Sequence, residues 1–122
     1  MILADTSVWI DHLRAGDRQL HSLLVRGQAL MHPFVAAELA LGSLRERSKT
    51  LVLLDSLPQA PVAHISEVRH LVEQRSLYRL GLGLIDAHLL ASVFINPGTL
   101  LWTRDKSLRQ VAEGLGIHSA LR

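Results

Sequence analysis

The chain has 122 residues, 48% of them hydrophobic and 20% charged, which suits one domain with a real core and excludes disorder. It contains no cysteine, which excludes a disulfide scaffold, thiolate metal sites and a cysteine nucleophile. Against 11 Asp+Glu stand 13 Lys+Arg, a surplus of +2 that permits nucleic-acid contact without demanding it.

The chain opens "MILADTSVWIDHL", and Met1 to Ala4 read as a short buried strand. That strand runs into Asp5. Aspartate is poor in strands and costly to bury unpaired, so Asp5 is either a helix cap or faces something positive. A helix follows from Thr6. Asp17 caps a second helix with the stripe Leu20, Leu23 and Leu24, and Gly27 ends it. Ala29 to His32 form the next candidate strand, and Pro33 fits the first position of a helix over "FVAAELALG". Leu44 to Leu57 predict another helix, closed by Pro58. Pro61 to His64 read as a strand, and Ser66 as the cap of a helix carrying Val68, Leu71 and Val72. "LIDAHLLASVF" is helical and stops at Asn96, Pro97 and Gly98. Leu100 to Thr103 make a strand, and Leu108, Val111, Ala112 and Leu115 the last helical stripe. Ile117 to Ser119 are a fifth candidate strand. This alternation predicts a single α/β domain, residues 1–122, with a mainly parallel sheet. No apolar run is long enough to span a bilayer and no signal peptide is visible, so a soluble cytoplasmic protein is expected.

In a parallel sheet, ligands bind beyond the carboxyl ends of the strands, near the topological switch point. Asp5 lies at such an end, and Asp105 repeats the pattern after "TLLWT". Glu38 shares a face with Phe34 and Leu41, where an apolar residue is expected. Asp86 falls on the stripe of Leu89, Leu90 and Val93, after Gly81 and Gly83. Each acid has a plain reading. Asp105 is a good N-cap, Asp86 suits the first turn of a helix, and Glu38 fits a boundary position with its head in water. The conjunction argues for more. Four carboxylates brought to one sheet edge repel and do not all stay ionised without a cation. Oxygen-only ligands suit Mg²⁺ or Mn²⁺. A carboxylate-held metal with open positions hydrolyses phosphodiesters.

At these residues the chain resembles the PIN-domain nucleases, most closely the VapC-type toxins of toxin–antitoxin pairs. "ADTSVWIDHLR" resembles the opening motif and puts the first acid at Asp5. "AAELALG" resembles the second, with Glu38, and "LGLIDAHLLA" the third, with Asp86. "LWTRDKSL" resembles the fourth, with Thr103 and Asp105. The resemblance implies a three-layer α/β/α fold around a five-stranded, mainly parallel sheet. It implies a Mg²⁺- or Mn²⁺-dependent endoribonuclease that acts as a homodimer and is inhibited by a cognate antitoxin. Asp5, Asp86 and Asp105 would be ligands, and Glu38 a ligand or the base that orients water. Thr6, Ser7 and Thr103 would support them. One of the hydroxyls of Thr6 and Ser7 is expected to orient Asp5 or a water.

Arg104 and Lys106 bracket Asp105 and are candidates for RNA phosphate contact, or merely for screening the acids. Arg14, Arg18, Arg45, Arg47 and Lys49 are candidates for the rim of an RNA groove, with an ordinary solvated face as the plainer reading. Trp9 and Trp102 are read as core residues, and the seven histidines as structural or surface residues. A phosphatase of the haloacid dehalogenase kind needs a second aspartate where Ser7 stands. A phospho-receiver needs an acceptor aspartate that "APVAHISE" lacks. A PIN-like scaffold that binds RNA or protein without cutting is the alternative that stays open.

Overall fold

A computed structural model describes residues 1–122. The elements are β1 (Ile2–Ala4), α1 (Thr6–Ala15), α2 (Arg18–Val25), β2 (Ala29–Leu30), α3 (Pro33–Ala40), α4 (Arg47–Ser56), α5 (Ile65–Gln74), α6 (Leu84–Phe94), β3 (Leu100–Trp102) and α7 (Lys106–Gly114). The three strands form one sheet in the order β2-β1-β3, parallel throughout. From β1 the chain moves to β2 on one side, then crosses back to β3 on the other. That reversal is a topological switch point, and the crevice it creates lies beyond the carboxyl ends of the strands. Right-handed crossovers of opposite travel carry their helices to opposite faces of such a sheet.

The expected five strands are three. The segment Pro61–His64, expected to be a strand, makes no sheet pairing, and the only pairing on that side is one bridge two residues earlier, Met31 to Gln59. Met31 donates its N–H to Pro58 O and accepts from Ala60 N, both at 2.8 Å. Pro58 and Pro61 flank this pairing and have no N–H to extend it. On the other side, Ile117–Ser119 reduces to a bridge between Leu101 and His118.

Helix boundaries follow local chemistry. Asp17 caps α2 through Leu20 N at 2.9 Å, and Asp105 caps α7 through Leu108 N at 2.9 Å. Pro33 takes the first turn of α3. The cap of α5 is His64 rather than Ser66, because Glu67 reaches back to His64 N at 2.9 Å. The helix expected from Leu44 starts at Arg47, after Glu46 takes a left-handed conformation at φ 46°. Arg47 instead donates to the carbonyls of Ala40 and Gly42 behind α3.

Leu3, Ala4, Leu101 and Trp102 are buried, as strands of a parallel sheet covered by helices require. Aliphatic side chains fill most of the core, with Trp9 and Trp102 inside it. No helix is long and apolar enough to cross a membrane.

Candidate active site

Asp5 directly follows β1 and is the N-cap of α1, the cap that the sequence offered as one of its two readings. It is 5% exposed, and its partners are hydroxyls and a backbone N–H rather than a cation. Oδ1 accepts from Ser7 N at 3.0 Å and from Ser7 Oγ. Oδ2 accepts from Thr103 Oγ1 at 2.6 Å, across 98 residues of sequence. Burial raises the Asp5 pKa, and these hydrogen bonds oppose the rise. A carboxylate has about four lone-pair positions, and three are used here.

Thr103 directly follows β3 at the same edge. Its hydroxyl donates to Asp5 and accepts from Asp105 N at 3.0 Å. The first and fourth motifs are therefore joined by one buried oxygen. Ser7 makes a second join, since Arg104 N donates to Ser7 Oγ at 2.9 Å. Thr6, next to it, turns the other way and donates to Glu38 Oε1 at 2.6 Å. The expected hydroxyl support is thus divided, Ser7 to Asp5 and Thr6 to Glu38.

Asp86 sits in the first turn of α6 and accepts from Gly83 N at 3.1 Å through Oδ2. Its pKa is raised, first by partial burial and then by the charges of Asp105 and Glu38. The sequence suggested a close approach at the glycines before it, but what requires glycine at 81 is the left-handed backbone, since the contacts there are ordinary. Gly81 holds φ +79°, and a Cβ there would lie 3.5 Å from Ser107 Oγ.

Glu38, Asp86 and Asp105 share one design. Each is anchored through one oxygen, to Thr6, Gly83 N and Leu108 N respectively. The second oxygen of each makes no hydrogen bond, and no Lys, Arg or His pairs with any of the four acids. The side chains do not converge into a ready-made metal cage. The donor set still fits a hard divalent cation: it is all oxygen, without a counter-ion, and Asp86 already feels Glu38 and Asp105.

The basic candidates separate. Arg104 is 24% exposed and bonds to Asp11 at 2.8 Å and to Asp17, so its guanidinium is committed within the protein. The Asp17 hydrogen bond raises the Arg104 pKa against the effect of burial. Burial acts to raise the Asp17 carboxyl, but Arg104 and the N–H groups of α2 hold it below its usual value. Lys106 is exposed at the start of α7. Arg14 and Arg45 line a cleft of about 650 Å³ that also contains Glu38. Arg18 and Lys49 are exposed, and Arg47 is engaged behind α3. Asp11 carries a role that sequence reasoning missed. Its signal was position, one turn after Ser7 on the same face of α1.

The PIN domain family model matches residues 2–114. The chain is 50% identical over 117 residues to proteins named Ribonuclease VapC32 in two strains of Mycobacterium tuberculosis, covering 96% of this chain and 94% of each relative. With the match running through all four acids and the strand ends that carry them, the chain belongs to the PIN-domain family.

Proposed function

We propose that this chain is a Mg²⁺- or Mn²⁺-dependent endoribonuclease of the VapC type, the toxin of a toxin–antitoxin pair. The observation that carries this reading is the set of three acids, Glu38, Asp86 and Asp105, each tethered through one oxygen with the other uncommitted. The similarity to relatives named as ribonucleases supports RNA as substrate. Those three oxygens and the remaining lone pair of Asp5 would hold the ion. When bound, such an ion activates water and offsets charge on the phosphodiester in the transition state. The chain's own residues do the positioning. Ser7 and Thr103 fix Asp5, and Thr6 fixes Glu38. Oε2 of Glu38 would serve either as one of these ligands or, in place of that, as the base that takes a proton from the attacking water. In this reading the protein works in the cytoplasm as a homodimer, and a cognate antitoxin blocks the acidic edge.

The test is cleavage of total cellular RNA by purified protein with Mg²⁺ or Mn²⁺, with chelator, and with Asp5→Asn. Discrete fragments that need the metal and disappear in the folded Asp5→Asn variant support the reading. Retained cleavage in that variant with metal present sinks the mechanism. An antitoxin-free sample that neither cleaves RNA nor binds Mn²⁺ by calorimetry points instead to a PIN-like module that binds RNA or protein without cutting.

A further inference from the structure

We propose that Arg104 is a positioning residue that holds the β3–α7 turn against α1, rather than a contact to RNA phosphate. The inference rests on the ribonuclease reading for what is being positioned. Its geometry does not. The backbone N–H of Arg104 donates to Ser7 Oγ at 2.9 Å, while its side chain bonds to Asp11 Oδ2 at 2.8 Å. Ser7 and Asp11 are four residues apart on α1 and therefore lie one above the other on one face. A single residue thus grips that face at two heights, once with main chain and once with side chain. The other arm of the fork reaches Asp17 Oδ2, whose Oδ1 caps α2 through Leu20 N. The guanidinium also lies over the Trp102 ring, 5.2 Å from its centroid.

The gripped turn contains Thr103 and Asp105, and the gripped helix begins at Asp5. Between them runs the Thr103 to Asp5 hydrogen bond of 2.6 Å. A fork spent on two carboxylates from two elements has little left for a phosphate, and its charge is already offset locally. A misplacement of about 1 Å in a site of this kind costs on the order of 100-fold in rate.

Arg104→Ala and Arg104→Lys are compared with wild type in metal-dependent RNA cleavage over a range of salt. Asp11→Asn is the second variant, since it loosens the grip without removing any positive charge. The expected result is a kcat lower by about 100-fold in Arg104→Ala, with KM and its salt dependence unchanged. Lysine should rescue poorly, because one ammonium does not reproduce the fork. Asp11→Asn should lower kcat in the same direction. Amide hydrogen exchange should speed up at Ser7 and Asp105 in Arg104→Ala and Asp11→Asn, with the rest of the sheet unaffected. A raised KM, a salt slope reduced by about 0.7, an intact kcat and full activity in Asp11→Asn would overturn the proposal in favour of a phosphate contact. If antitoxin-free wild type neither cleaves RNA nor binds Mn²⁺, the ribonuclease reading fails. The exchange rates still decide the grip, and unchanged rates at Ser7 and Asp105 overturn it.

Discussion

Lowering the pH should destabilise this protein through a buried histidine. His32 caps α3, and its Nδ1 accepts from Phe34 N at 3.0 Å, so the ring is neutral with its proton on Nε2. The residue is 0% exposed, Nε2 has no partner, and Phe34 packs between it and His88 with ring centroids at 5.2 and 4.7 Å. Burial first, and His88 second, lower its pKa from 6.5 to about 4. Above the unfolded value both states hold a neutral ring, and stability does not depend on this group. Between 6.5 and about 4 the unfolded chain takes a proton that the fold refuses, so stability falls as pH falls. At about 1.4 kcal/mol per pH unit the whole loss is roughly 3 kcal/mol, with roughly 2 kcal/mol gone by about pH 5. Urea unfolding of wild type and His32→Asn from about pH 8 to about pH 5 measures it. Asparagine keeps a cap acceptor but does not titrate. The raised carboxyls of Asp5 and Asp86 act in the opposite sense, and they are common to both proteins, so they cancel in the comparison. The variant should start less stable and lose less across the range. Equal losses in the two proteins would refute the assignment.

Two substitutions probe the site's scaffold. Thr103→Val keeps the shape but removes the hydroxyl that serves Asp5 and Asp105 N, and should cost about 2 kcal/mol in chemical denaturation while lowering RNA cleavage. A cost below about 0.5 kcal/mol would mean that the buried Asp5 does not depend on this donor. Gly81→Ala meets only ordinary contact at Ser107, so its cost, read by thermal denaturation, should be that of the left-handed backbone, about 1–2 kcal/mol. A loss well beyond this would show that the loop is packed against α7 more tightly than the 3.5 Å separation allows.

The parts of this protein that depend on neighbours in sequence could be read in advance. Asp17 and Asp105 as caps, Pro33 at a helix start, the glycine-led entry to Asp86 and the α/β alternation all follow from a few adjacent residues and their hydrogen-bonding needs. The four acids could be picked out by their conjunction, since each alone has a plain reading, and their motif order tied them to one family. The extent of the sheet was less legible, because pairing at its edges depends on whether each donor finds a partner. Prolines at 58 and 61 leave one bridge at Gln59, and the strand expected at Pro61–His64 does not form. What each polar side chain touches was decided in three dimensions. Thr6 and Ser7 are adjacent in sequence, yet they serve different acids because successive residues of a helix point about 100° apart. Arg104 adjoins an acid in sequence but pairs with two others, Asp11 and Asp17, brought to it from 93 and 87 residues away. Sequence supplied the carboxylates and the order in which they appear. Only the crossing of β3 beside β1 set Thr103 against Asp5, because a hydrogen bond of 2.6 Å depends on strand register, which no local pattern encodes.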